Sequence, residues 1–155
     1  MRRRDETWAE AGVADPEGGT AYILDDQIGF VLRQAYQRHA ALFAEHLGEA
    51  LTPTQWAVLA KLAELGSSSQ NMLGRLTAMD VATVKGVVER LIKRDLIETR
   101  PDPEDRRRVV LSLSEPGRAL YGKLAAVALE ISVLTLAPLE AAERETLLSL
   151  LARLR

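Results

Sequence analysis

The residues of this chain best suited to chemistry are cations and short side chains within residues 69–113, and they favour binding over catalysis. Arginine and lysine can hold phosphates, and amides and hydroxyls can add hydrogen bonds to the same backbone. Small residues let a helix approach the edges of bases closely. By residue type, the candidate DNA-contacting residues are Ala82, Thr83, Lys85, Gly86, Arg90, Asp105, Arg106, Arg107 and Arg108.

A predicted helix at residues 80–94 carries the centre of this set. Asp80 is a good N-cap, since its carboxylate suits the positive end of a helix. The side of this helix that lies opposite its apolar face begins with short residues. Among them, Thr83 can contact a thymine methyl group or donate to a base edge. Glycine inside a helix costs about 1 kcal/mol relative to alanine, so Gly86 indicates a surface that approaches a partner closely. An ordinary amphipathic helix with a solvated basic side is the alternative. The apolar face is predicted at Val81, Val84, Val88, Leu91 and Ile92.

A charged β-hairpin is predicted next, with strands at residues 96–100 and 107–113 and a turn at residues 101–106. Two prolines and an acidic cluster mark the turn. Val109, Leu111 and Leu113 alternate with other residues, as in a half-buried strand. Arginine at the tip of a ribbon suits the narrow, electronegative minor groove, and Asp105 can pair with Arg107. A solvated charged hairpin is the alternative.

These elements resemble the winged helix-turn-helix of the MarR family of bacterial transcriptional regulators. The matching stretches are LGRLTAMDVATVKGVVERLIKRDLIETR and DPEDRRRVVLSLSEPG. The second resembles the family's wing signature, D-x-R followed by a strand and Leu-Ser/Thr-x-x-Gly, at Asp105, Arg107, Leu113, Ser114 and Gly117. The resemblance covers about residues 25–155.

The resemblance implies a mainly α fold with a small β-wing, in which a winged helix-turn-helix joins a helical dimerisation region. Residues 50–113 would form the winged helix-turn-helix, and residues 21–48 and 114–155 the dimerisation helices of one domain, residues 21–155. Asp95 stands where the family usually ends the recognition helix with glycine, and Asp tolerates a left-handed backbone better than most residues. Residues 1–20 are polar and small, which is typical of a flexible tail.

The composition is that of one globular domain, with 47% hydrophobic and 27% charged residues and a net charge of −2. Residues 75–118 hold ten Lys and Arg against eight Asp and Glu, a modest positive bias. The chain has no cysteine, which excludes disulfides and thiolate-bound metal. No apolar run approaches membrane-spanning length, and the charged N-terminus lacks the apolar core of a secretory signal. A cytoplasmic protein without cofactor or metal is expected.

A long helix is predicted at residues 25–47, capped by Asp25 or Asp26. Its apolar stripe must be covered by the domain or by a second subunit, and two histidines interrupt it. Histidine on such a face is most often a hydrogen-bonded structural residue; the sharper hypothesis is a pocket for an anionic aromatic ligand. The stripe comprises Ile28, Leu32, Ala35, His39, Leu42, Phe43 and His46, and the candidate effector-binding residues are Arg33, Tyr36, His39 and Trp56.

The remaining helices have clear starts and stops. Thr52, Pro53 and Gln55 form a capping box with proline at the first helical position, and Gly66 ends that helix. A short helix at residues 69–76 should pack Leu73 and Leu76 inward. The resemblance implies that Gln70, Asn71 and Arg75 on this helix contact the DNA backbone. Residues 115–134 follow a Ser114 cap, Pro138 interrupts, and residues 140–154 form a last, leucine-rich helix. So much leucine agrees with the subunit interface that the resemblance implies.

Together these features predict a homodimeric transcriptional regulator that binds a pseudo-palindromic double-stranded operator. Thr83, Lys85 and Gly86 would face base edges and Arg107 the minor groove, while Arg75, Arg90, Arg106 and Arg108 would hold phosphates. Some stretches resemble a subgroup that controls aromatic-acid catabolism, which implies a repressor released by a small aromatic carboxylate or its CoA thioester. An enzyme is disfavoured, because no nucleophile motif, phosphate loop or metal-spaced cluster occurs. The alternative is a helical ligand-binding or partner-binding dimer without DNA binding.

Overall fold

The computed structural model describes residues 22–48, 50–102, 105 and 109–154, so the predicted tail at residues 1–20 lies outside it. The chain divides into two compact units within the first long helix, with the boundary between His39 and Ala40. The elements are α1 (Ile28–Leu47), α2 (Pro53–Leu65), β1 (Ser67–Ser68), α3 (Gln70–Leu76), α4 (Val81–Lys93), β2 (Ile97–Pro101), β3 (Val109–Leu113), α5 (Glu115–Thr135) and α6 (Ala141–Ala152).

The first unit begins with a 3₁₀ turn, Leu24–Asp26, rather than with the long helix. The prediction that Asp25 or Asp26 caps a helix at residue 25 is therefore wrong: both residues lie inside the turn. The Gln27 side chain donates to the Ile23 carbonyl at 2.8 Å and closes the turn from its C-terminal side. Helix α1 starts only at Ile28.

The second unit has its main core between α2, α3, α4, the sheet and α5. Leu59, Leu73 and Leu91 are completely buried there. Helix α4 buries Val84, Val87, Val88 and Leu91, a stripe with helical spacing. The predicted face of α4 was therefore partly wrong.

Two members of the predicted α4 face are exposed: Val81 at 71% and Ile92 at 39% of their surface. Val81 is the first residue of the helix and lies beyond the edge of the core, and Val87 takes an inward position instead. Leu76, also predicted to pack inward, is 46% exposed at the last position of the short α3. The ends of both helices thus project past the core that their middles fill.

A three-stranded antiparallel sheet has the order β1-β3-β2. Strand β1 was not predicted; Ser67 and Ser68 pair with Ser112 and Leu111 of β3. Because β3 is the central strand, Ser112 is buried together with Leu111 and Leu113. The predicted alternation of buried and exposed residues along this strand is therefore wrong. Pro101, placed in the turn by sequence, is the last residue of β2 and pairs with Val109, which is exposed.

In the second unit, the predicted helix caps formed where the sequence placed them. Thr52 and Gln55 make the predicted capping box, with bonds of 3.3 and 3.0 Å, and Gly66 ends α2 with a φ of 77°. Ser114 caps α5, and Asp80 caps α4. Local side-chain chemistry therefore sets the start of most helices in this unit.

A smaller apolar cluster joins the end of α1 to α5. Phe43, Leu47 and Ile131 are its buried members. Helix α6 buries none of its residues, and Leu148, Leu150 and Leu154 are more than half exposed. No helix among the described residues is long and apolar enough to cross a membrane.

Candidate nucleic-acid interface

The turn between α3 and α4 is fixed by backbone and side-chain hydrogen bonds. The Thr77 hydroxyl donates to the Leu73 carbonyl at 2.5 Å, and the Met79 amide donates to the Gly74 carbonyl at 2.9 Å. Ala78 takes a left-handed backbone with a φ of 52°. The two helices approach so closely that a Cβ at Gly74 would lie 3.3 Å from a methyl of Val84. The angle between them is therefore set by the fold before any ligand binds.

The N-terminus of α4 is organised by Asp80 and Thr83. One carboxylate oxygen of Asp80 accepts the Thr83 amide at 2.8 Å and the other accepts the Thr83 hydroxyl at 2.6 Å. These bonds, the side-chain one first, lower the pKa of the Asp80 carboxyl. The predicted donation from Thr83 to a base edge would have to break a bond to an anion. Its methyl group and its oxygen lone pairs remain available, which favours the thymine-methyl contact.

The exposed side of α4 is small near its start and cationic further along. Ala82 and Thr83 are exposed, and Lys85 forms an exposed ion pair with Glu89 at 3.9 Å. Gly86 is half-buried because the Arg90 guanidinium lies over it, 3.6 Å from where a Cβ would stand. A methyl at residue 86 would make ordinary van der Waals contact, so glycine is not required by the chain's own packing. The shallow surface at Gly86 therefore fits an external contact.

Helix α3 contributes a groove lined by both polar and apolar residues, beside the tip end of the hairpin strands. The groove has a volume of about 820 Å³. Gln70 is half-buried, Asn71 and Arg75 are exposed, and an Arg75 nitrogen lies 3.6 Å from the Met72 sulfur. The lining residues are Leu65, Ser67, Ser68, Ser69, Gln70, Asn71, Met72, Arg75, Leu76, Asp102, Val109 and Val110.

The tip of the wing is only partly described. Asp105 is half-buried. Arg106, Arg107 and Arg108 lie outside the described residues, so the Asp105–Arg107 pair and the minor-groove contact stay predictions. On β2, Arg100 pairs with Glu98 at the surface of the wing.

The candidate effector-binding residues occupy two helices. Arg33, Tyr36 and His39 follow one another at three-residue steps on α1, with Arg33 and Tyr36 exposed and His39 half-buried. Trp56 lies on α2, where its ring stacks on Tyr121 of α5 with centroids 5.3 Å apart and planes 15° apart.

Tyr121 was missed from the sequence, because nothing local links it to a tryptophan so far away in the chain. Trp56 packs against both apolar clusters of the second unit. Trp56 is thus a half-buried residue at the edge of both clusters, and its ligand-contacting role stays a prediction. Within residues 22–48, 50–102, 105 and 109–154, no three His, Asp or Glu side chains come together as a metal site would require.

Comparisons with known protein families, proteins and structures identify relatives of this chain. The sequence model of the MarR family matches residues 51–109. The chain is 42% identical over 140 residues to the HTH-type transcriptional repressor NicR of Pseudomonas putida, covering 90% of this chain and 89% of that protein.

Two solved structures are similar to this chain in both sequence and fold. A probable transcriptional regulator from Pseudomonas aeruginosa is 61% identical, with a TM-score of 0.79 over 86% of this chain and all of that one. BpsR of Bordetella bronchiseptica, studied for regulation of its DNA binding by 6-hydroxynicotinic acid, is 39% identical. Its TM-score is 0.81 over 86% of this chain and 96% of its own. The described chain has the mainly helical, winged fold predicted from the sequence, and it belongs to the MarR family of transcriptional regulators, which are not enzymes.

Proposed function

We propose that the chain is a transcriptional repressor that binds a pseudo-palindromic operator through α4 and the wing. The observation that carries this proposal is the outer face of α4, where Ala82, Thr83 and Gly86 form a shallow surface followed by exposed cations. Such a surface lets a helix enter the major groove while its cations hold the flanking phosphates. The similarity to NicR, named as a repressor, supports the direction of regulation.

The proposed active form is a homodimer, held by helices within residues 21–48 and 114–155. Support comes from α5, α6 and the turn that follows α6, where Leu129, Val133, Leu148, Leu150 and Leu154 are more than half exposed. Apolar surface of this extent usually marks an interface. In a two-fold dimer the paired α4 helices would meet successive major grooves if they stood about 34–36 Å apart.

The proposed effector is a small hydroxylated aromatic carboxylate, or its CoA thioester. Support comes from BpsR, whose DNA binding is regulated by 6-hydroxynicotinic acid. Arg33, Tyr36, His39 and Trp56 are the proposed contacts, with Arg33 suited to the carboxylate. An effector shifts the balance only if it binds the two dimer geometries unequally. The protein would work in the cytoplasm, where its operator lies.

The DNA-binding proposal is tested on a duplex selected from a random library by the purified full chain. A protein that holds roughly six to ten phosphates loses about 10³- to 10⁵-fold in affinity between roughly 50 and 200 mM salt. We expect a loss of that order, with a shallower salt slope in Arg90→Ala, which removes a proposed phosphate contact, and an unchanged slope in Lys123→Ala, which removes an exposed cation of α5. A scaffold without DNA binding would yield no selected sequence and no salt-dependent binding.

The effector proposal is tested by thermal unfolding with 6-hydroxynicotinate and other hydroxylated aromatic acids. A ligand at 100 times its dissociation constant adds about 2.7 kcal/mol to the free energy of unfolding. We expect at least one acid to stabilise the protein and to release the selected duplex. Intact DNA binding with no stabilisation by any of these acids or their CoA thioesters would contradict the proposed effector class.

A further inference from the structure

The end of α4 and the start of α5 meet at a joint made almost entirely of backbone. After Arg94, Asp95 takes a left-handed conformation with a φ of 56°. The Asp95 and Leu96 amides then donate to the carbonyls of Ile92 and Leu91, at 2.9 and 3.0 Å. This closes the last turn of α4 and aims the carbonyls of Asp95 and Leu96 at the first turn of α5.

Ser114 connects the two helices through one buried hydroxyl. Its Oγ donates to the Asp95 carbonyl at 2.5 Å and accepts the Gly117 amide at 3.0 Å. The Ser114 amide also donates to the Leu96 carbonyl at 3.2 Å. Ser114 is only 6% exposed, so water cannot readily replace these bonds. One side chain therefore caps α5 and holds the residue that ends α4.

Gly117 lets α5 rest directly on that backbone. A Cβ at this residue would lie 2.0 Å from the Leu96 carbonyl oxygen, closer than any side chain can come. The atom in the way is main chain and cannot rotate aside. Any other residue at 117 would push the first turn of α5 away from the end of α4.

The joint continues into the base of the wing. Ile97 pairs with Leu113 as the first rung of the β2–β3 ladder. The Arg118 guanidinium, on the first turn of α5, donates to the Leu113 carbonyl at 2.7 Å. Hydrogen bonds at this joint therefore connect the end of α4, the base of the wing and the first turn of α5.

We propose that Ser114 and Gly117 are positioning residues that lock the recognition helix to α5, so that the two turn as one body. The consequence for DNA rests on the proposed function: a change in the direction of α5 would swing α4 and the wing together without changing their shape. The Leu113-Ser114-x-x-Gly117 part of the wing signature is then explained by this joint and not by contact with DNA.

The test measures the joint directly, by the distance between two spin labels in one chain. The chain has no native cysteine, so Glu89→Cys on α4 and Lys123→Cys on α5, both exposed positions, can be labelled selectively. Labelled protein is diluted with excess unlabelled protein, so that each distance lies within a single chain. The parent should show one narrow distance distribution.

Ser114→Ala should broaden this distribution, and Ser114→Thr, which keeps a hydroxyl, should restore it. Ser132→Ala is the matched control, since the Ser132 hydroxyl donates within α5, to the Ala128 carbonyl. Asp95→Gly should also leave the distance narrow, because the joint uses the Asp95 carbonyl and not its carboxylate. Gly117→Ala should shift the mean distance; should it fail to fold, Ser114→Ala alone decides.

Binding to DNA provides the second arm. Ser114→Ala should lose about tenfold in affinity for the selected duplex, because binding must then fix an orientation of α4 that Ser114 otherwise fixes in advance, while its weak binding to random duplex at low salt stays unchanged. A Ser114→Ala distribution as narrow as the parent's would overturn the joint. If distances respond as expected but no form of the protein selects a duplex, the proposed function fails and the joint stands.

Discussion

Helices α4 and α6 are almost equal in length, at 13 and 12 residues, and both are rich in aliphatic side chains, yet only α4 has a core within its own chain. Four residues of α4 are buried, whereas α6 buries none. The contrast teaches that the winged part is stabilised from inside one chain. Helix α6 keeps an apolar surface for something outside it, which in the proposed dimer is the second subunit.

The largest effect is expected from truncating the core side of α4. Leu91→Ala removes a completely buried side chain and should lower the free energy of unfolding by about 2–5 kcal/mol. Urea unfolding measures the loss. Leu148→Ala on the exposed face of α6, studied at dilutions where the subunits separate, is the matched control and should stay within about 0.5 kcal/mol. Equal losses would remove the distinction between the two helices.

The next effect concerns the exposed side of α6. Leu150→Glu puts a charge on the apolar surface and should shift the protein from dimer to monomer, since burying an unpaired carboxylate is costly. Sedimentation velocity at micromolar concentration measures the change. Ser149→Glu, a carboxylate at the neighbouring exposed position, should leave the dimer intact. A protein that is monomeric before any substitution would contradict the dimer.

A smaller effect separates stability from binding on the outer side of α4. Gly86→Ala should raise the free energy of unfolding by up to about 1 kcal/mol, because the new methyl meets Arg90 only at ordinary contact distance. Affinity for the selected duplex should nevertheless fall. Gly122→Ala on α5, where nothing lies within 4 Å of the new methyl, should gain stability without that loss. Unchanged affinity in both variants would place Gly86 away from DNA.

The smallest effect is expected from removing the negative charge of Asp80 at the start of α4. Hydrogen bonds from Thr83 lower the pKa of Asp80 below its usual 3.8, so the charge adds stability above that pH and the addition disappears as pH falls through the lowered pKa. Asp80→Asn still caps the helix but lacks the charge. The two proteins should therefore differ in thermal stability near neutral pH and converge under acid conditions. A difference in thermal stability that persists at low pH would show that it does not come from the ionisation of Asp80.

The sequence predicted best what depends on neighbours in the chain. The caps at Thr52, Asp80 and Ser114 follow from side chains that bond to backbone three residues away, and their signals are local. The left-handed backbone at Asp95 was predictable from the residue itself, because Asp tolerates this conformation better than most residues. The family's fold likewise follows from motifs that are continuous in sequence.

What depends on distant partners was predicted poorly. Two serines carry no strand signal, and β1 exists only because β3 offers an edge to Ser67 and Ser68. The choice of Val87 over Val81 as a core residue reflects where the core ends, which helical periodicity alone does not locate. The stacking of Trp56 on Tyr121 is likewise a property of the packed chain. The arginines at 106–108 remain a sequence prediction.

The most direct test of two α4 helices acting on one duplex is a chemical footprint of the purified protein on its selected DNA. Protection from methylation by dimethyl sulfate reports the major groove at guanine N7 and the minor groove at adenine N3. The proposed mechanism predicts two protected major-groove tracts centred about 10–10.5 base pairs apart and related by a two-fold axis. A single tract, or protection confined to the minor groove, would contradict it.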